Sequence, residues 1–435
     1  MQENNNGVYR KIAWKVLPLL FISYIVAYLD RVNIGFAALR MQQDLNFSDA
    51  VYGLGAGVFF IGYVLFEVPS NMFLTKIGAR KTIMRIMIAW GIVSSCMMFV
   101  QTPLQFYVVR FLLGAFEAGF FPGIILYLTY WFPVRLRGGI IAVFMSAIAI
   151  AGIIGGPVSG WLIKYMDGVH GLHGWQWMFL LEGAPAVVLG VIAAFVLTDR
   201  PQEAKWLTQQ EREQIEREVG TPMPDGKHHL GQVARDPRVY ALAFVYFSVM
   251  SGLYILGFWL PGMIKGYGVN DPFQIGMLTS LPFIASALGM IMIGRRSDVT
   301  GERRWYLFSC LCAAALGLVA CTLVQGNLIL GLLCLSVVAV GLYAAMPLFW
   351  TIPTRYLSGN AAAGGIALIN SLALFGGFVS PTVLGMIKNS TGSINAGLYL
   401  FAGVLVLGAC VLILAMPQRL LSDSVVRDAS AGTAV

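Results

Sequence analysis

Two pairs of ionisable residues interrupt strongly apolar stretches of this chain. Asp30 and Arg31 lie in Tyr24-Ile-Val-Ala-Tyr-Leu-Asp-Arg-Val-Asn33, and Arg110 and Glu117 lie in Arg110-Phe-Leu-Leu-Gly-Ala-Phe-Glu-Ala-Gly119. A charge near a bilayer centre costs roughly 2.5–3.5 kcal/mol on insertion scales, so it faces a partner or a watery path. A carboxyl group in low-dielectric surroundings resists ionisation, and a nearby guanidinium favours it. A carboxyl passing between dry and wet surroundings therefore loads and releases a proton. Arginine keeps its charge and grips a carboxylate with a planar fork. Together these four residues suit a route for an ion and a charged solute. The alternative is a static salt-bridge network that fixes helix packing.

Such chemistry needs apolar helices to carry it. The 435-residue chain is 58% hydrophobic and 11% charged, against roughly 25% charged in an ordinary soluble domain. Apolar runs of about 20 residues, enough to cross a hydrocarbon core, recur along it. Twelve spans are predicted, near 16–39, 51–75, 83–101, 104–130, 138–163, 176–197, 238–262, 273–294, 305–324, 328–351, 362–387 and 396–416. Span one then runs outward and span four inward. At 1.5 Å per residue, Asp30 sits roughly 13 Å, Arg110 roughly 9 Å and Glu117 roughly 20 Å below the outer surface. Arg110 and Glu117 share one face of span four, which makes Arg110 the expected partner of Glu117. Asp30 and Arg31 are adjacent, so their side chains diverge.

The +8 net charge follows the loops. One side carries Arg10, Lys11, Lys15, Lys76, Arg80, Lys81, Arg85, Arg135, Arg137, the basic residues of 200–238, Arg295, Arg296, Arg303, Arg304, Arg355, Arg419 and Arg427. The other has Arg40, Lys164, Lys265 and Lys388. By the positive-inside rule both termini and the 198–237 loop are cytoplasmic. The basic balance reflects topology, and no nucleic-acid partner is expected. All six cysteines fall within predicted spans, where thiols act as small apolar packing residues rather than a disulfide framework. The first run lacks a small-residue cleavage site, so it is expected to remain as a span.

The predicted fold is an all-α membrane protein of twelve transmembrane helices in two pseudo-symmetric six-helix bundles. The bundles are 1–197 and 238–435, joined by a cytoplasmic linker, 198–237, with an expected amphipathic helix over 203–212. An internal repeat supports the split. Asn71-Met-Phe-Leu-Thr-Lys-Ile-Gly-Ala-Arg-Lys81 matches Gly294-Arg-Arg-Ser-Asp-Val-Thr-Gly-Glu-Arg-Arg304, with Gly78, Arg80 and Lys81 falling on Gly301, Arg303 and Arg304 at one constant offset. Gly156-Pro157 and Gly160 are echoed by Gly377, Pro381 and Gly385. Duplicated halves around a central site are common among secondary transporters.

On these motifs the chain resembles the major facilitator superfamily. More narrowly, it resembles its anion:cation symporter family of tartrate, hydroxyphenylacetate, sugar-acid and phthalate permeases. The matching stretches are Leu29-Asp-Arg-Val-Asn-Ile-Gly-Phe-Ala37, Arg110 to Gly123, Trp175-Gln-Trp-Met-Phe-Leu-Leu-Glu-Gly183, Asp199-Arg-Pro201 and Phe349-Trp350 with Pro353. Asn370-Ser371 and Gly377-Phe378 complete the set. The resemblance implies that Asp30 and Glu117 handle protons, and that Arg31 and Arg110 attract the organic anion or balance Glu117. It places Trp350 and Asn370 on a cavity wall, with Tyr28 and Tyr63 opposite. Gly78, Arg80, Lys81, Gly294, Asp298, Gly301 and Arg303 then belong to the gating loop motif. That motif begins with Gly and has Asp fifth. The first copy has Asn71 and Thr75 instead, whereas the second keeps Gly294 and Asp298. Sugar-acid carriers of the family place a glutamine in mid-span five. Here the stretch is Ala147-Ile-Ala-Ile150, which favours a short hydroxy acid or an aromatic carboxylate.

The expected function is import of a small organic carboxylate by proton symport with alternating access. An uncoupled facilitator or an exporter is the alternative. The proton is the coupling ion, and no other cofactor, metal or catalytic residue is expected. The chain is expected to work as a monomer, multi-pass in a bacterial inner membrane. Glu67 reads as a gate or packing contact, and Glu182, off the usual cavity helices, as structural. His170 and His173 have metal-like spacing, but in a Gly-rich outer loop no acidic partners and no metal are expected. His228 and His229 form the other loop pair, which leaves no catalytic cluster for an enzyme. Gly53-Leu-Gly-Ala-Gly57 reads as close helix packing. No Walker-type lysine motif points to ATP.

Overall fold

The first helix is unbroken through the most hydrophobic part of its sequence and is interrupted three residues after Asp30. In the computed structural model, which describes residues 2–219, 235–357 and 360–417, α1 (Gln2–Val32) gives way at Asn33 to α2 (Ile34–Asp44). Lys227, His228, His229, Arg419 and Arg427 lie outside the described residues, as do the side chains of Thr75 and Arg355. The other helices of the first half are α3 (Asp49–Ile77), α4 (Ala79–Cys96), α5 (Pro103–Glu117), α6 (Phe120–Trp131), α7 (Val134–Met145), α8 (Ala147–Tyr165), α9 (Gly174–Val196) and α10 (Gln209–Val219). The second half has α11 (Pro237–Gly266), α12 (Pro272–Thr300), α13 (Arg304–Leu323), α14 (Leu328–Trp350), α15 (Pro353–Tyr356), α16 (Asn360–Thr391) and α17 (Asn395–Ala415). Among the described residues, twelve spans are long and apolar enough to cross a membrane. The chain is an all-α, multi-pass membrane protein. Several spans outrun the predicted ones, as Gly7–Asp44, which takes in most of α1 and all of α2, does against 16–39, because helical backbone pairing continues past the apolar stretch that hydropathy detects.

The chain forms two compact units. One comprises Met1–Phe47, Val58–Pro224 and Asp271–Met277, and the other Ser48–Gly57, Asp225–Asn270 and Leu278–Val435. In the second, the start of α3 lies backbone-close to α16. A Cβ on Gly53 would meet Pro381 O at 2.4 Å, and one on Gly385 would meet Asp49 O at 2.4 Å. Lys388 pairs with Asp49 at 2.8 Å. The first unit repeats the pattern between α8 and the start of α12. A Cβ on Gly160 would meet Pro272 O at 2.4 Å, and one on Gly276 would meet Gly156 O at 2.1 Å. There Lys164 pairs with Asp271, and its ammonium holds the Asp271 carboxyl below the usual carboxylate range. The glycines of the internal repeat thus sit where small residues let helices touch.

Span four is two helices. α5 starts on a capping box, with Gln105 N donating to Thr102 Oγ1 and Pro103 at the first position. It ends at Glu117, and Gly119 turns the chain at φ +85° into α6. A Cβ on Gly119 would lie 2.5 Å from Ser70 Oγ. Gly119→Ala is therefore expected to destabilise by at least about 1–2 kcal/mol from the left-handed backbone alone. Thermal unfolding in detergent checks this, and an unchanged midpoint would show that the turn is unconstrained.

Two expectations change. The helix predicted over 203–212 begins at Gln209, because Thr208 and Glu211 form a reciprocal cap (Glu211 N to Thr208 Oγ1 at 3.3 Å, Thr208 N to Glu211 Oε2 at 2.8 Å). The residues before it are a turn in which Trp206 stacks on Trp131 at 5.7 Å. Lys11 and Arg135 pair with Glu211 and Glu218 of α10, tying this helix to the first unit. The six cysteines are free, but Cys96 and Cys410 are exposed rather than packed inside. Hydropathy marks a span without saying which face points outward.

Candidate substrate and proton site

The four charges singled out from the sequence converge in the first unit. Asp30 and Arg31 arrive on the last turn of α1, Arg110 and Glu117 on α5. The buried stripe of α5 is Phe106, Arg110, Leu113, Gly114 and Glu117, so both charges point inward. Gly114 brings α5 against α3, where a Cβ would lie 1.9 Å from Phe59 O. This approach sets the aromatic rings of α3 among the guanidinium groups. Arg31 lies 5.5 Å from the Phe59 ring and 5.3 Å from the Tyr63 ring, and Arg110 lies 5.0 Å from the Phe59 ring. Such contacts hold cations in an apolar interior.

The ion pair at Glu117 is made by Arg31, whose Nη2 donates to Glu117 Oε1. This corrects the expectation that Arg110 is the direct partner. Residues seven apart on a helix are separated by roughly 10 Å along its axis, whereas Arg31 reaches across from α1. Arg110, fully buried, acts on the Glu117 carboxylate through space.

Asp30 has a different environment. It is 1% exposed and accepts from Trp90 Nε1, Ser94 Oγ and, at 3.2 Å, Asn33 Nδ2. These three donors are neutral. One carboxyl is thus paired with a cation, while the other is met by neutral donors. Trp90 and Ser94 are four apart on α4, and Asn33 is three after Asp30. That spacing is the signal in the sequence that could have found them.

In the second unit, Trp350 donates from Nε1 to Tyr246 Oη at 3.1 Å, and Tyr246 stacks on Phe349 at 4.5 Å. Tyr254 stacks on Phe258. Trp350, Asn370 and Ser371 are half-buried, as Tyr28 is in the first unit.

The two loop motifs are built differently. Gly78 adopts φ +91°, and a Cβ there would lie 2.5 Å from Asp199 Oδ1. Arg80 N donates to the same oxygen at 2.7 Å. Asp199, after span six, thus supplies a carboxylate where the first copy has Thr75 in place of Asp; Lys81 is exposed. The second copy is self-contained. Gly294 precedes Asp298, which pairs with Arg303, while Arg303 Nη1 donates to Ser297 Oγ at 2.9 Å and Gly301 turns at φ +68°. His173 also differs from expectation. Asp44 and Asp167 lie 3.4 and 4.0 Å from its Nδ1; Asp44 comes from α2, and Asp167 belongs to the same loop.

The Major Facilitator Superfamily profile matches residues 20–381 and 270–430. The chain belongs to this superfamily of transporters. A protein of Agrobacterium vitis, provisionally named a tartrate transporter, is 49% identical over 92% of this chain and 90% of its own. A quinolone resistance transporter of Acinetobacter baumannii is 43% identical over 92% and 93%. The crystal structure of a bacterial homologue of the human lysosomal transporter Spinster shares the fold, with a TM-score of 0.72 at 17% identity over 94% of this chain and 97% of that one. This superfamily member is a transporter rather than an enzyme, so its partners are a small-molecule substrate and the bilayer.

Proposed function

We propose that this transporter imports a small organic carboxylate with protons, by alternating access. One observation carries the reading: Asp30, held by neutral donors, lies one residue from Arg31, which grips Glu117. An incoming carboxylate can compete with Glu117 for the Arg31 fork, and a proton on Glu117 loosens that grip. Asp30 and Glu117 are the proton-coupling pair. Arg31, Arg110, Tyr28, Tyr63, Trp350 and Asn370 contact the substrate, and the two glycine-and-basic loops act as gates. Relatives in bacteria support an inner-membrane location, with both termini cytoplasmic and the monomer as the working unit. The tartrate transporter supports a short hydroxy acid, as does the apolar stretch Ala147–Ile150. The quinolone resistance relative favours the second reading, export of a carboxylate.

A thermal-shift panel on the purified protein tests the substrate class. A ligand at a hundred times its Kd stabilises by about 2.7 kcal/mol. Carboxylates are expected to raise the melting temperature and their neutral amides to leave it unchanged. Arg31→Lys keeps the charge but loses the fork, and its carboxylate affinity is expected to fall roughly tenfold, about 1.4 kcal/mol. Tight binding of a neutral amide or a sugar would contradict the anion assignment. Equal carboxylate affinity in the variant would move the grip to Arg110.

A further inference from the structure

The first glycine-and-basic loop leaves its cations without carboxylates. From Asn71 to Arg85 the chain carries Lys76, Arg80, Lys81 and Arg85 and no acidic residue. All four are exposed, and among the described residues none enters an ion pair. Asp199 meets the backbone N–H of Arg80, at 2.7 Å, rather than a cationic side chain. The second copy handles its charge differently. Arg303 pairs there with Asp298, and the guanidinium of buried Arg304 donates to Ile413 O.

An apolar stripe runs up to the unpaired cations. Leu65, Val68 and Met72 follow helical spacing along α3, with Phe73 and Ile77 beside them, and all five are exposed. The apolar span ends at Leu74, so Met72 and Phe73 lie within it and Lys76 just past it. The Arg85 guanidinium sits 5.0 Å from the Phe73 ring, which brings the charge of α4 onto the end of the stripe. Lys81 and Arg85 are four apart, on one face of α4.

We propose that this face holds an anionic phospholipid, with its phosphate among Lys76, Lys81 and Arg85 and an acyl chain along the α3 stripe. Basic clusters directly beside a span attract acidic headgroups, and the exposed stripe next to them suits the chain that a headgroup carries. A second copy docked about a two-fold axis would set like charge against like. The headgroup gives the first loop the negative charge that Asp298 gives the second. This site lies outside the transport reading and stands without it.

The test is a lipid titration of the full chain in an uncharged detergent, followed by melting temperature. Short-chain phosphatidylglycerol is expected to raise the midpoint saturably, and phosphatidylcholine of the same chain length is expected not to. Each basic residue beside an anionic headgroup is worth about fivefold in affinity. Lys81→Gln combined with Arg85→Gln is therefore expected to weaken phosphatidylglycerol about tenfold or more. Lys81→Arg combined with Arg85→Lys keeps both charges and is expected to keep the affinity. Should the neutral double variant not fold, Lys76→Gln alone is expected to weaken the lipid about fivefold. Lys205, exposed in the linker and without an ion pair among the described residues, is the control, and Lys205→Gln is expected to bind as the wild type does. Equal responses to the two lipids, full affinity in the neutral variants, or an equal loss in Lys205→Gln overturns the site. The same saturable shift with inorganic phosphate at matched ionic strength overturns the lipid assignment in favour of the free ion. A dimer in light scattering that the neutral double variant dissolves gives the face to a second copy instead.

Discussion

Asp30→Asn is expected to abolish proton-driven accumulation while leaving a folded protein. An amide cannot take up a proton at working pH. It can still accept from Trp90 through its oxygen and donate to the Ser94 hydroxyl with roles reversed, losing only the bond from Asn33 Nδ2, which ends on the same atom. A pH gradient of one unit is worth about 1.4 kcal/mol per proton, or about tenfold accumulation. The variant in liposomes is expected to equilibrate substrate across the membrane and stop at a ratio of about one. Uphill uptake by the variant at normal expression would remove Asp30 from the coupling path.

Arg31→Ala is expected to be the most damaging single substitution to folding in the charged cluster. It strands Glu117, 1% exposed, without its ion-pair partner, and breaking a buried pair costs roughly 3–5 kcal/mol. Adding Glu117→Gln removes the stranded charge and is expected to restore most of the folding yield, though not coupled transport. Arg110→Ala is expected to cost less, because it removes a second charge that acts through space and leaves the direct pair. Melting temperatures of the two single variants and the double variant decide the point. A double variant no more stable than Arg31→Ala, or Arg110→Ala as damaging as Arg31→Ala, would contradict the assignment of Arg31 as partner.

The location of the site was legible because charge is expensive in hydrocarbon. Asp30, Arg31, Arg110 and Glu117 stand out against an apolar background, and all four reach one region of the first unit. Their pairing was not legible. Helix periodicity says which residues of α5 share a face, but it says nothing of the angle at which α1 brings Arg31 across to Glu117. The break at Gly119 was hidden because span four reads as one apolar run. Asn33, Trp90 and Ser94 escaped notice because neutral polar residues in apolar helices carry little signal until an acid is seen beside them. Asp199 was noticed as part of a family motif, but its contact with Arg80 joins residues 119 apart, which no local pattern reveals. The fold itself followed from hydropathy and the repeated glycine-and-basic loop, and the close contacts at Gly160 and Gly385 show what the echoed glycines do: they let Pro272 and Asp49 of neighbouring helices approach.

The most direct test of the account is proton movement during uptake. Protein is reconstituted in liposomes, a labelled carboxylate chosen by thermal shift is added outside, and external pH is recorded alongside internal label. With the outside acidic, the account predicts concentrative uptake and alkalinisation of the medium in step with it, both lost in Asp30→Asn. Equal uptake with and without the gradient, and no proton movement beside it, would contradict the coupling at the centre of this account.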